Sequence, residues 1–164
     1  MFREQRVLAI VPARGGSKRL PGKNLHSVAG KPLIAWALEA GAKASAVDRT
    51  VLSTDDDALV ASAVNQGFSD FLIRPAGLAS DDASMTSVIT HAIKELKERG
   101  DDFGYLVLLQ PTSPLRTAQH IDQAFGIMGE KNALGAVSIC STEHPKEWMS
   151  AISEDGLLDT FFQD

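Results

Sequence analysis

The chain has 164 residues, 44% apolar and 23% charged, a globular balance at a length that suits one domain. A chain of this size buries on the order of 70% of its unfolded surface and needs no disulfide or metal staple. The net charge of −5 excludes a general nucleic-acid coat, and the single cysteine, Cys140, excludes an internal disulfide and a Cys-rich metal site. The longest early apolar run, Val7 to Val11, is too short to cross a bilayer and lacks signal-peptide form. The expectation is a soluble cytoplasmic protein without membrane or nucleic-acid partners.

Taken in chain order, Arg6 to Pro12 is a continuous apolar run, as expected of a strand buried on both faces. A Gly- and Pro-rich loop follows to Asn24. Pro32 to Lys43 reads as a helix with Leu33, Ile34, Ala37 and Leu38 inward. Thr50 to Thr54 is a second strand. Asp56 to Gln66 is helical, with Leu59, Val60, Ala63 and Val64 inward. Phe71 to Ile73 is a short strand.

Ser84 to Arg99 is the clearest helix, with Val88, Ile89, Ala92, Ile93 and Leu96 on one face. Tyr105 to Leu109 is a third buried strand. Thr117 is the expected N-cap of a helix carrying Ile121, Ala124, Phe125 and Met128. Leu134 to Cys140 reads as a further strand, with Cys140 a small core residue. Trp148 to Ile152 and Leu157 to Phe162 flank a Ser153–Gly156 turn and read as a hairpin. Alternating strands and helices imply an α/β domain with a mostly parallel sheet, 1–164 as one unit. Ligands of such sheets bind beyond the carboxyl ends of the strands, after Val11, Thr54, Ile73 and Leu109.

Charge points to the same end. Between Gln5 and Leu38 stand six basic residues and no acidic one. Residues 1–38 carry seven basic residues against Glu4, a charge of +6, which leaves −11 for the rest. A positive island on an acidic chain suits a small anionic ligand. Its centre is the loop from Pro12 to Asn24. Gly15, Gly16 and Gly22 let backbone N–H groups approach an anion, and Arg14, Lys18, Arg19 and Lys23 supply cationic donors, a combination that suits a triphosphate. It is not a Walker A loop, which needs Gly at 17 and Ser or Thr at 24, where Ser17 and Asn24 stand. Nor is it a dinucleotide G-x-G-x-x-G. The plain alternative is a solvated basic turn.

The loop resembles the signature A-R-x-x-S-K-x-x-P-x-K-N of the acylneuraminate cytidylyltransferases, the CMP-sugar synthetases. Ala13, Arg14, Ser17, Lys18, Pro21, Lys23 and Asn24 match it. Ser53-Thr54-Asp55, the stretch Arg74 to Asp81 (RPAGLASD) and the stretch Leu109 to Arg116 (LQPTSPLR) agree with further family segments in the same order. The resemblance implies a three-layer, Rossmann-like nucleotide-diphospho-sugar transferase fold, with the CTP-binding half strongest in 6–116. It implies transfer of CMP from CTP to a nonulosonic acid such as N-acetylneuraminate, with release of pyrophosphate and with Mg2+ as cofactor.

By that resemblance Arg14, Gly15, Gly16, Ser17, Lys18, Lys23 and Asn24 hold the nucleotide, and Arg14 and Lys23 act in catalysis. Lys23 stabilises charge at the α-phosphate and leaving group. Arg74 and the backbone of Ala83, Ser84 and Met85 lie beside the cytosine. Gln110, Thr112, Ser113 and Arg116 face the sugar. Two readings stand for several of these. Asp81 to Ser84 also reads as a helix N-cap. Arg116 grips the sugar carboxylate or binds its own loop. Gln110 bonds sugar or ribose hydroxyls, or is a plain strand-end amide. Asp55, Asp56 and Asp57 suit Mg2+ or simply begin a helix. The four histidines show no metal-ligand spacing.

Family members usually continue for several tens of residues with a dimerisation extension and an acidic D-x-D segment. The expectation is therefore a chain incomplete at its C-terminus, a homodimer when full-length, with its metal ligands unknown. The related 3-deoxy-manno-octulosonate cytidylyltransferase, and a non-catalytic CTP-binding module, are the alternatives.

Overall fold

The computed structural model describes residues 1–18, 20–80 and 83–141, and the backbone of 151–152 and 158–159. Its centre is a parallel sheet of four strands: β1 (Val7–Pro12), β4 (Arg49–Thr54), β5 (Phe71–Ile73) and β6 (Tyr105–Leu108), in the order β5-β4-β1-β6. Two minor hairpins are formed by β2 (Ser27–Val28) with β3 (Lys31–Pro32), and by β7 (Ala151–Ile152) with β8 (Leu158–Asp159). The helices are α1 (Leu33–Lys43), α2 (Asp57–Asn65), α3 (Met85–Glu98) and α4 (Ala118–Glu130).

β1 holds the sheet together because it is apolar on both sides. Val7, Ala9 and Val11 face a layer built from α1, α2 and α4, where Ile34, Leu38, Leu59, Phe125 and Met128 pack. Leu8 and Ile10 face the other way, with Val51 and Leu72, onto Ala92 and Leu96 of α3. Val7 to Val11 are wholly buried, and each large apolar side chain contributes about 1.5–3 kcal/mol on burial. The expected three-layer, mostly parallel α/β architecture is observed.

Strand order places the site. The chain leaves β1 for β4 and β5 on one side, then returns through α3 to β6 on the other. The loops after β1, β5 and β6 therefore all open at the carboxyl end of the sheet, where ligands of parallel sheets bind.

Several expectations are corrected. Leu134 to Cys140 forms no strand, and Leu134, Val137 and Ile139 are 88–93% exposed. A β-favouring run becomes a strand only where a neighbour completes its hydrogen bonds, and none of the described strands does so for this one. Cys140 is exposed rather than in the core. Val64 and Ile93, expected inward, are half exposed because α2 and α3 each bury a narrower stripe: Leu59 and Ala63, and Val88, Ala92 and Leu96.

The β2–β3 hairpin was not legible. Its turn puts Ala29 and Gly30 at φ of 51° and 88°, and alanine carries no signal for the left-handed region. The C-terminal hairpin pairs at Ala151–Asp159 and Ile152–Leu158. The rest of that expectation, including the Ser153–Gly156 turn and Phe161 and Phe162, lies outside the described residues.

Candidate functional site

The carboxyl ends of the strands surround a cavity of about 280 Å3. Pro12, Arg14, Lys23 and Asn24 come from β1 and its loop; Arg74, Leu78 and Ser80 follow β5. Ala83, Met85 and Val88 come from the start of α3, and Gln110, Pro111 and Thr112 from the loop after β6. Eight of the expected residues are thus gathered from four segments: Arg14, Lys23, Asn24, Arg74, Ala83, Met85, Gln110 and Thr112.

The β1 loop is shaped from beneath. Ala13 N–H donates to the Ser53 carbonyl at 3.0 Å, which continues the β1–β4 ladder one residue past the strand. Asn24 is 6% exposed, and its Nδ2 donates to the Arg14 carbonyl at 3.1 Å. Its amide therefore ties the two ends of the loop together as well as lining the cavity. Gly15 is required by packing: a Cβ there would stand 2.8 Å from Asp56 Cγ. Gly16 faces open space, and Ser17 N–H turns back to the Gly15 carbonyl at 2.9 Å. Gly15, Gly16, Ser17 and Lys18 do not line the cavity. Arg19 lies outside the described residues.

Arg74 is the buried cation of the site, 6% exposed. Its Nη2 donates to the Ala13 carbonyl at 3.0 Å and to Asp55 Oδ1 at 3.3 Å. Its Nε is buried with no acceptor among the described residues. Burial pushes the Arg74 guanidinium below its ordinary pKa; Asp55 opposes this and the nearby Arg14 adds to it.

At the start of α3 the helix-cap reading holds for Ser84. Ser84 is the N-cap, its Oγ accepting Ser87 N–H at 3.0 Å, while Ala83 and Met85 on either side line the cavity. Asp81 and Asp82 lie outside the described residues. After β6, Arg116 binds its own loop: Nη2 donates to the Gln110 carbonyl at 3.0 Å, and Arg116 does not line the cavity. Burial lowers its pKa, and its Nη1 has no partner among the described residues. Ser113 does not line the cavity either, and its N–H donates to the Gln110 carbonyl at 3.2 Å.

The aspartates after β4 begin a helix. Asp56 Oδ1 caps α2 by accepting Ala58 N–H at 2.7 Å, and Asp55 pairs with Arg74. Among the described residues no three His, Cys, Asp or Glu side chains gather to hold a metal ion. No helix among them is long and apolar enough to cross a membrane.

Pro12, Leu78, Ser80, Val88 and Pro111 also line the cavity and were not singled out from sequence. Leu78 and Ser80 lie inside a family segment, which is the signal that points to them. Val88, on the core face of α3, carries none.

A profile of the family described as Cytidylyltransferase matches residues 8–147. Over 161 residues the chain is 35% identical to a CMP-N,N'-diacetyllegionaminic acid synthase of Legionella pneumophila, covering 97% of this chain and 69% of that one. It is 36% identical over 118 residues to a pseudaminic acid cytidylyltransferase of Campylobacter jejuni, covering 72% of this chain and 51% of that one. It is 40% identical over 119 residues to an N-acylneuraminate cytidylyltransferase of Escherichia coli, covering 73% of this chain and 27% of that one.

Among solved structures, a CMP:2-keto-3-deoxy-manno-octonic acid synthetase complexed with CTP superposes at a TM-score of 0.66. It is 23% identical over 79% of this chain and 49% of that one, a likeness of fold. A 4-diphosphocytidyl-2C-methyl-D-erythritol synthase from Anaerococcus prevotii shares the fold at a TM-score of 0.61, with 11% identity over 94% of this chain and 62% of that one. The chain spans between about a quarter and two thirds of the length of the three curated relatives described here. With the profile running through β1, the cavity segments and α4, the chain belongs to the cytidylyltransferase family.

Proposed function

We propose that this chain carries the nucleotide site of a CMP-nonulosonate synthetase, which transfers CMP from CTP to a nonulosonic acid such as N-acetylneuraminate. The observation that supports this best is the cavity itself. It joins the cations Arg14, Lys23 and Arg74 to the polar side chains of Gln110 and Thr112 at the strand ends. Arg14 and Lys23 hold the phosphates. The bases of α3 and β5 take the cytosine: Arg74 from below, and the backbone around Ala83 and Met85 from the side. Gln110 and Thr112 face the sugar, and Arg116 holds Gln110 in place through its carbonyl.

In the reaction the sugar's anomeric oxygen forms a bond to the α-phosphorus, the bond to the bridging oxygen breaks, and pyrophosphate leaves. Its hydroxyl proton departs to solvent. Such chemistry depends on positioning and charge neutralisation, and in this reading Lys23 stabilises the charge on the leaving group. When bound, Mg2+ would supply further neutralisation of the triphosphate. The described residues do not fit a resident ion: Asp55 pairs with Arg74, Asp56 caps α2, and no three His, Cys, Asp or Glu side chains gather among them. By the family resemblance the protein acts in the cytoplasm and as a homodimer.

The test is calorimetric titration with CTP, UTP, ATP and GTP in Mg2+, with pyrophosphate release assayed on N-acetylneuraminate in parallel. CTP-selective binding with release supports the synthetase. Selective binding without release favours a nucleotide-binding module. A folded protein indifferent to all four nucleotides defeats the reading.

A further inference from the structure

Four residues set the walls of the cavity, and none of them lines it. The Ser53 carbonyl accepts Ala13 N–H at 3.0 Å, and the Thr54 carbonyl accepts Arg74 N–H at 2.7 Å. Thr54 Oγ1 accepts Asp56 N–H at 3.2 Å, and Asp56 lies under Gly15. Asp55 Oδ1 accepts from Arg74 Nη2 at 3.3 Å. The corner between β4 and α2 thus grips both the β1 loop and Arg74.

Arg74 has the most to gain from being gripped. Its side chain turns about several bonds, yet it is 94% buried and carries a donor, Nε, without an acceptor among the described residues. The two hydrogens of Nη2 lie in the guanidinium plane. With only the Ala13 carbonyl as acceptor the plane could rotate about that one bond. A second acceptor on the same nitrogen defines it. We propose that Asp55 is a positioning residue for the nucleotide: it sets the plane of the Arg74 guanidinium, a cavity-lining group, so that the group is held in one orientation toward a ligand there.

This inference rests on the cytidylyltransferase reading of the site. It also separates Asp55 from a metal-ligand role. A metal ligand needs the negative charge. A positioning residue needs an acceptor oxygen in the right place. Asp55→Asn keeps the oxygen and removes the charge, and Asp55→Glu keeps the charge and moves the oxygen. Asp55 is partly exposed, with its side chain at 22%, so its substitution does not empty a core.

The experiment follows the Arg74 Nε–H signal by nuclear magnetic resonance in the full chain without ligand, and then titrates CTP and inorganic pyrophosphate. In Asp55→Asn the signal stays in place and CTP affinity stays within about threefold. In Asp55→Glu and Asp55→Ala the signal shifts or broadens and CTP binds about tenfold more weakly, while pyrophosphate affinity is kept because Arg14 and Lys23 are untouched. Arg74→Lys combined with Asp55→Ala loses no more than Arg74→Lys alone. An unmoved Nε signal in both Asp55→Ala and Asp55→Glu overturns the positioning role. So does an Asp55→Asn variant as impaired as Asp55→Ala, which would assign the residue's effect to charge. The ligand-free signal reads the positioning whatever the protein binds. Indifference of the unsubstituted protein to CTP therefore defeats the functional reading separately.

Discussion

At the amino end of the sheet, Arg49 holds Asp70 through Nε and Nη2 at 2.6 and 2.9 Å, and also bonds Asp101. Arg6 takes the other oxygen of Asp101 at 2.9 Å, with its guanidinium stacked 4.4 Å above the Phe103 ring. Asp48 receives Val7 N–H at 2.7 Å and the terminal amine at 3.0 Å. At the carboxyl end Arg14, Lys23 and Arg74 stand around a cavity, and Arg74 has one carboxylate, Asp55, at the longer distance of 3.3 Å. The same strands carry both arrangements. Charges that answer each other within the chain hold the strand starts in register. Cations gathered around a hollow make it favourable for an anion that enters it. The contrast is between ion pairs closed within the fold and cations that line an opening.

The largest effect is expected from Lys23→Ala. Loss of a cation placed at developing charge should slow turnover by about 10²–10³-fold, with Tm unchanged. It is checked by steady-state kinetics in a full-length protein beside a thermal melt; unchanged turnover removes Lys23 from the chemistry. Gly15→Ala comes next. Its new Cβ meets Asp56, which destabilises the loop by about 1–3 kcal/mol and weakens CTP binding. Asp56→Ser in the same chain, which keeps an N-cap oxygen in a smaller side chain, should restore part of the affinity. If the double variant is no better than Gly15→Ala, the contact between loop and α2 does not set the site.

At the other end the signs reverse. Arg49→Ala should lower Tm by about 2–6 °C and leave CTP affinity as it was. A loss of affinity equal to that at the carboxyl end would dissolve the distinction between the two ends. The smallest effect concerns pH. Arg6 and Arg49 hold the Asp101 carboxyl below its ordinary pKa, and Val7 N–H and the terminal amine do the same for Asp48. Carboxyls depressed on folding contribute stability that is fully present above their unfolded pKa of about 3.9 and is lost as pH falls through the folded values. Acid unfolding below about pH 4 should therefore become less steep in Asp101→Asn. An unchanged acid limb would mean that other groups carry the transition.

Much of this was legible in the residues, for reasons that differ by region. The apolar run of β1, the face of α1 and the Thr117 cap of α4 are local signals, and the structure repeats them within a residue or two. Residues 134–140 carry the same kind of local signal and form no strand, because pairing is a property of a neighbour. Within the site, the segments were legible from their motifs, but the tasks of single side chains were not. Arg116 turned to its own loop. Asn24 became a tie as well as a wall, and Gly15 owes its lack of a side chain to Asp56, forty-one positions along.

By itself the sequence determined the alternation of elements, the basic island near the N-terminus and the four segments that carry the family's motifs. Those depend on spacing along the chain and on residue type. Only the tertiary structure decided that β1 would sit between β4 and β6, so that loops a hundred residues apart would open onto one cavity. Only it decided that Asp55 would face Arg74 while Arg49 faced Asp70 and Asp101. Strand order and ion pairing arise from burial and Coulomb energies summed over residues distant in sequence, and no window along the chain contains them.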